Sequence, residues 1–84
     1  MKILWDEPKR LANVDKHGFD FASLTEAFFA AATILPAKEG RFIAIGECGD
    51  ARVVVVIFVV LGSEAISVIS MRRADRKERS LRDV

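Results

Sequence analysis

Tyrosine is absent from this chain, and histidine, cysteine and tryptophan each occur once. A single thiol, Cys48, excludes an internal disulfide. With one histidine beside it, no zinc site of ordinary ligand spacing can be assembled, and neither a metal nor a cofactor is expected. Charge of one sign is missing too: 13 Lys and Arg stand against 12 Asp and Glu, a formal +1. The global balance therefore carries no nucleic-acid signal, and any such signal must be local. Apolar runs of membrane length are absent as well. Val53–Leu61 spans nine residues, where a membrane helix needs about 20. The opening Met1–Asp6 lacks the apolar segment of a secretory leader, so the expected location is the cytoplasm.

What is present is a dense core in a small chain. The 84 residues read as one domain, 1–84, without repeats, linkers or low-complexity segments. A chain of this size buries roughly 60–65% of its unfolded surface, which leaves stability marginal unless the core is dense or a partner adds burial. Here 51% of residues are hydrophobic and six are Phe.

The most informative stretch is Trp5–Phe21. Asp6 as a helix cap, Pro8 in the first turn and Gly18 as a stop bracket a helix from about Pro8 to His17. On it Lys9, Asn13 and His17 recur at i, i+4 and i+8 and share one face, with Lys16 beside them and Leu11 and Val14 opposite. Two cations, an amide and the only histidine suit the handling of a phosphate chain, although a solvated helix face has the same composition. Upstream, Lys2–Trp5 reads as an edge strand. Downstream, Ser23 with Glu26 reads as a capping box for a second helix. Phe42–Ile45, Arg52–Leu61 and Ala65–Met71 read as strands joined by short loops that favour antiparallel pairing, with the Val-rich one central and covered on both faces. Residues 71–84 hold six Arg or Lys against three acids, +3 locally and −2 elsewhere. The resulting order is β-α-α-β-β-β-α: an α+β domain with an antiparallel sheet of three to four strands, two N-terminal helices packed on one face, and a C-terminal helix.

Three segments carry a resemblance. Trp5-Asp6, Lys9, Asn13 and Lys16-His17 form the first; Arg41-Phe42 with Gly46 form the second; Ile69-Ser70, Arg72, Ala74 and Glu78-Arg79 form the third. In this order and spacing the chain resembles the BrnT family, the toxin halves of bacterial type II toxin–antitoxin pairs. The resemblance implies a RelE-like fold and a ribonuclease that cuts RNA and so blocks translation. It also implies a BrnA-type antitoxin partner, whose ribbon-helix-helix domain binds DNA, so that the toxin meets DNA only indirectly. The chain departs from the family where an Arg usual in the last strand is replaced by Ser67, and in its lack of Tyr.

Metal-free RNA cleavage needs a base, an acid and cations around the phosphate. His17 is the one side chain whose ordinary pKa permits both proton roles near neutrality; its alternative is a structural imidazole bonded to a neighbouring carbonyl. Arg72 and Arg73 are the other candidates for catalysis, because guanidinium grips phosphate oxygens in a fork; their alternative is an ion pair with Asp75 or Glu78. Lys9, Lys16 and Arg76 are candidate phosphate-binding residues. Glu47 is a further candidate base, and Cys48 is expected to be unreactive. An antitoxin segment, acidic or apolar, is expected over the helix that carries Lys9 and His17. The competing function is a catalytically degenerate toxin homologue that binds its antitoxin and co-represses without cutting RNA.

Overall fold

The computed structural model describes residues 1–82; Asp83 and Val84, counted above in the basic tail, lie outside the described residues. The chain runs through β1 (Lys2–Trp5), α1 (Glu7–His17), a 3-10 turn at Phe21–Ser23 and α2 (Glu26–Ala31). Then come β2 (Thr33–Pro36), a second 3-10 turn at Lys38–Gly40, β3 (Arg41–Glu47), β4 (Val53–Leu61), β5 (Ala65–Arg73) and α3 (Arg76–Arg82).

All five strands form one sheet in the order β1-β5-β4-β3-β2. The expected antiparallel sheet of three to four strands behind a pair of N-terminal helices is therefore wrong. The sheet is mixed, because β1 lies parallel to β5 while the other neighbours are antiparallel. α1 follows a strand that itself belongs to the sheet. Short loops constrain only adjacent strands, and the whole meander separates β1 from β5, so no hairpin dictates their direction. The extra strand, β2, is four residues ending in Pro36. It is too short to show a period, and its proline is tolerated because β2 pairs only with β3, at the edge. α2 also starts later than the Ser23 cap implies. The Thr25 hydroxyl accepts the Phe28 N–H at 3.1 Å, whereas Ser23 Oγ donates to the Asp20 carbonyl at 2.7 Å.

β4 is central, and Val54, Val55 and Val56 are wholly buried. One face of the sheet packs Val54, Val56, Val68 and Met71 against Phe19, Phe21, Leu24 and Phe28, from α2 and the segment before it. The other face buries Ile45 and Val55 with Ala74, just before α3. Gly46 lets α2 approach β3: a Cβ there would come within 3.0 Å of the Phe28 ring. On β5 the register slips by one residue, so that Phe58 faces Val68 while Ile57 faces Ser70. Ile69 is the extra residue of a β-bulge. The bulge returns Met71 to the core after Ile66 and Val68, which is visible in the burial of all three.

β1 accompanies β5 only through Val68. Beyond it the outer edge of β5 would present unpaired peptide groups, and α1 covers them through one side chain. The Asn13 amide accepts the Met71 N–H at 3.1 Å and donates to the Met71 carbonyl at 2.8 Å and the Phe19 carbonyl at 2.9 Å. Asn13 is the one buried polar residue among those described. Replacing it by Ala would strand these buried peptide groups, at a cost of roughly 1–3 kcal/mol for each unsatisfied group. Asn13→Ala is expected to lower the thermal midpoint by about 10 °C or more, read by circular dichroism. A variant that melts with the parent would show that the amide is dispensable.

Candidate functional site

The site begins with α1. Asp6 caps the helix by accepting the Lys9 N–H at 3.3 Å, Pro8 sits in the first turn, and Gly18 ends it at φ 78° with its N–H on the Val14 carbonyl. Arg10 fastens the helix to the following loop. Its guanidinium pairs with Glu7 and, at 2.9 Å, with Asp20. The hydrogen bonds that Arg10 donates to Glu7 and then to Asp20 hold it above its ordinary pKa. Glu7 is lowered chiefly by Arg10, and Asp20 chiefly by the Ala22 N–H with Arg10 adding to it.

Because Asn13 points inward, its stripe neighbours are drawn against β5. Lys9, Lys16 and His17 line one cavity of about 260 Å³ with Ile69 and Ser70. The lysines are exposed and His17 is half-buried. The imidazole has no hydrogen-bond partner among the described residues, so the structural reading of a histidine tied to a carbonyl finds no support. What meets here is an imidazole, two ammonium groups and a serine hydroxyl. Leu11 and Val14, on the outward side of α1, are exposed.

Arg72 and Arg73 do not line that cavity, and strand alternation sends them to opposite faces. Arg72 is in register with Val55 and so lies on the α3 face; Arg73 is in register with Val54 and lies on the α2 face. Glu78 grips Arg72 with two hydrogen bonds of 2.7 Å, accepting from Nη1 and Nη2. The same carboxylate accepts the Asp75 N–H at 3.0 Å while Asp75 accepts the Glu78 N–H at 2.8 Å, a capping box that starts α3. Arg73 and Arg76 are exposed.

A second concavity of about 300 Å³ is lined by Lys38, Arg41, Ile43, Ile57 and Ile69. Ile69 belongs to both cavities, so the two are halves of one surface on the α3 side of the sheet. Sequence reasoning missed Lys38, Arg41 and Ser70 as lining residues. Arg41 and Ser70 stand in segments that carry the resemblance, but only the pairing of β3, β4 and β5 carries Lys38 and Arg41 across from α1. A third concavity, about 900 Å³, lies elsewhere, between α2 and the β3–β4 turn. Its acid, Glu47, pairs with Arg82 at 3.1 Å. Burial first, and Asp50 next, push the Cys48 thiol above its ordinary pKa, so it remains protonated near neutrality.

Comparison with known proteins bears on this arrangement. The family described as ribonuclease toxin, BrnT, of type II toxin–antitoxin systems matches residues 5–78. A 1.1 Å crystal structure of the Brucella abortus ribonuclease toxin BrnT superimposes with a TM-score of 0.85. It is 54% identical, and the match covers 90% of this chain and 99% of that one. No curated protein matches the chain in sequence.

The Arg72–Glu78 pair has a pH signature. Arg72 hydrogen bonds hold the Glu78 carboxyl below its ordinary value, against desolvation and with help from the Asp75 N–H; Glu78 in turn holds Arg72 above its own. A depressed carboxyl stabilises the fold above its unfolded pKa of about 4.3, and that contribution is lost as pH falls through the lower folded value. Urea midpoints should therefore separate the parent from Glu78→Gln near neutrality and converge at about pH 3. A gap that stays constant with pH would assign the effect to packing instead.

Proposed function

This chain belongs to the BrnT family of ribonuclease toxins of type II toxin–antitoxin systems, and from that premise we propose that it cuts RNA by metal-free acid and base chemistry on α1 and β5. The observation that carries this reading is the meeting of His17, Lys9 and Lys16 in one cavity against β5. In the proposed step the His17 imidazole takes the proton of a ribose 2′-hydroxyl. The 2′-oxygen forms a bond to the adjacent phosphorus, and the bond from phosphorus to the 5′-oxygen breaks. The Lys16 ammonium gives its proton to the departing 5′-oxygen, leaving a 2′,3′-cyclic phosphate. Lys9 offsets the charge that develops on the phosphoryl oxygens. Arg72, held rigid by Glu78 on the same face as Ser70, binds a neighbouring phosphate in a forked contact. Arg73 and Arg76 supply longer-range attraction.

Cutting RNA in this way blocks translation in the cytoplasm until a BrnA-type antitoxin with a ribbon-helix-helix domain covers the toxin. Two features support α1 as part of the covered surface. Its cations need an acidic counterpart, and the exposed Leu11 and Val14 offer apolar contact on the outward side of the same helix. No helix among the described residues is long and apolar enough to cross a membrane.

The test is incubation of purified protein with structured RNA in chelator, with mapping of the cut ends. Ends carrying 2′,3′-cyclic phosphate are expected, and His17→Ala should slow cleavage by about 10²-fold or more while melting with the parent. Cleavage that survives His17→Ala unchanged removes the imidazole from the mechanism. Expression in cells lacking the antitoxin separates the alternatives at the level of function: stalled growth with fragmented RNA supports the nuclease. Unimpaired growth with intact RNA instead indicates an antitoxin-binding co-repressor.

A further inference from the structure

The cavity beside α1 is one side of a wider groove, and its far side is also positively charged. Ile43, Ile57 and Ile69, on three adjacent strands, form a half-buried aliphatic floor. Lys9 and Lys16 stand at one rim, on α1. Lys38 and Arg41 stand at the other. β5 and β3 are two strand spacings apart, about 10 Å, so the rims face each other across the width of the sheet. The far rim is held by backbone. Glu39 at φ 61° and Gly40 at φ 74° form consecutive left-handed residues, and the Ala37 N–H closes on the Arg41 carbonyl at 2.9 Å. A left-handed glutamate is unfavourable outside a tight turn, and such residues persist where the surroundings over-determine them. The one ion pair at this rim, Arg41 to Glu39 at 3.5 Å, joins two exposed side chains and is readily exchanged for a phosphate.

We infer that Lys38 and Arg41 are a second phosphate-holding rim, and that single-stranded RNA lies across the strands from α1 to β3 with an unpaired base over Ile57 and Ile69. This rests on the ribonuclease reading above and extends it from the cleavage centre to the path of the substrate. The floor is aliphatic rather than aromatic, so a base gains from burial without ring stacking, and the phosphate contacts dominate affinity. Two ammonium groups on one side and an ammonium with a guanidinium on the other fit successive phosphates of a flexible strand. A duplex, too wide to settle onto the floor, would engage one rim at a time.

Binding of a single-stranded RNA oligonucleotide, measured at several salt concentrations, tests the inference. The His17→Ala background keeps the probe intact. Five phosphate contacts, Arg72 among them, predict a slope of log K against log salt of about −3.5, and replacing Lys38 and Arg41 together by Gln should reduce it to about −2. Lys2→Gln, on β1 and outside the groove, should leave the slope in place. In protein with His17 restored, the double variant should raise KM several-fold with kcat nearly unchanged. An unchanged slope in the double variant, with RNA still bound, overturns the second rim and leaves the ribonuclease reading standing. An unchanged slope together with weakened antitoxin binding would reassign this rim to the protein partner. Failure of the background protein to bind RNA even at low salt would sink both.

Discussion

One amide side chain holds this molecule in its working shape. β1 stops pairing at Val68, and from there Asn13 does for β5 what another strand would do: it accepts from the Met71 N–H and donates to the Met71 carbonyl. The substitution is economical because an amide carries both a donor and an acceptor in nearly the geometry of a peptide group. Its second N–H takes the Phe19 carbonyl, which ties the end of α1 to the loop entering the phenylalanine core. The position of Lys9, Lys16 and His17 follows from that anchor. They lie on neighbouring turns of α1, and the direction in which Asn13 faces decides the direction in which they face. The helix also turns its apolar side chains Leu11 and Val14 outward, the reverse of an ordinary surface helix.

Much of this was legible in the residues. The limits of α1 are local chemistry, with a cap at Asp6 and a glycine at the left-handed position, and they stand where that chemistry places them. The apolar run of β4 announces burial on both sides, and its strand is indeed central. What was not legible depends on partners far away in sequence. Thr33–Pro36 becomes a strand because β3 offers it an edge, and β1 runs parallel to β5 for reasons of topology rather than of its own four residues. The role of Asn13 was undecidable on α1 alone, since the groups it satisfies belong to Met71 and Phe19. The family resemblance, carried by short segments from both ends of the chain, agrees with the family match over residues 5–78. It could not supply the strand count.

The proposed site follows the same division. Its α1 residues share one helix and were grouped by period. Arg72 and Arg73, adjacent in sequence, are separated by the pleat, and one of them is committed to Glu78. Neither Lys38 nor Arg41 is marked by the sequence as a phosphate contact, yet the sheet carries them to the opposite bank of the same groove. A site that spans a helix, a turn and three strands gives each contributor a rigid mounting, which favours precise placement of a phosphate over adaptability.

The bulge at Ile69 has a consequence for how this domain can change. A strand alternates its side chains between two environments, and a bulge absorbs one additional residue so that the assignments downstream follow the ladder rather than the residue count. Upstream of Ile69, Ile66 and Val68 face the phenylalanines; downstream, Met71 does so and Arg72 looks the other way. Excision of this single isoleucine would close the ladder, setting Ser70 directly after Val68 opposite Ile57, and would leave Met71 in the core and Arg72 on the other face; what the domain would lose is the side chain that its two cavities share. The extra residue therefore serves the groove rather than the interior.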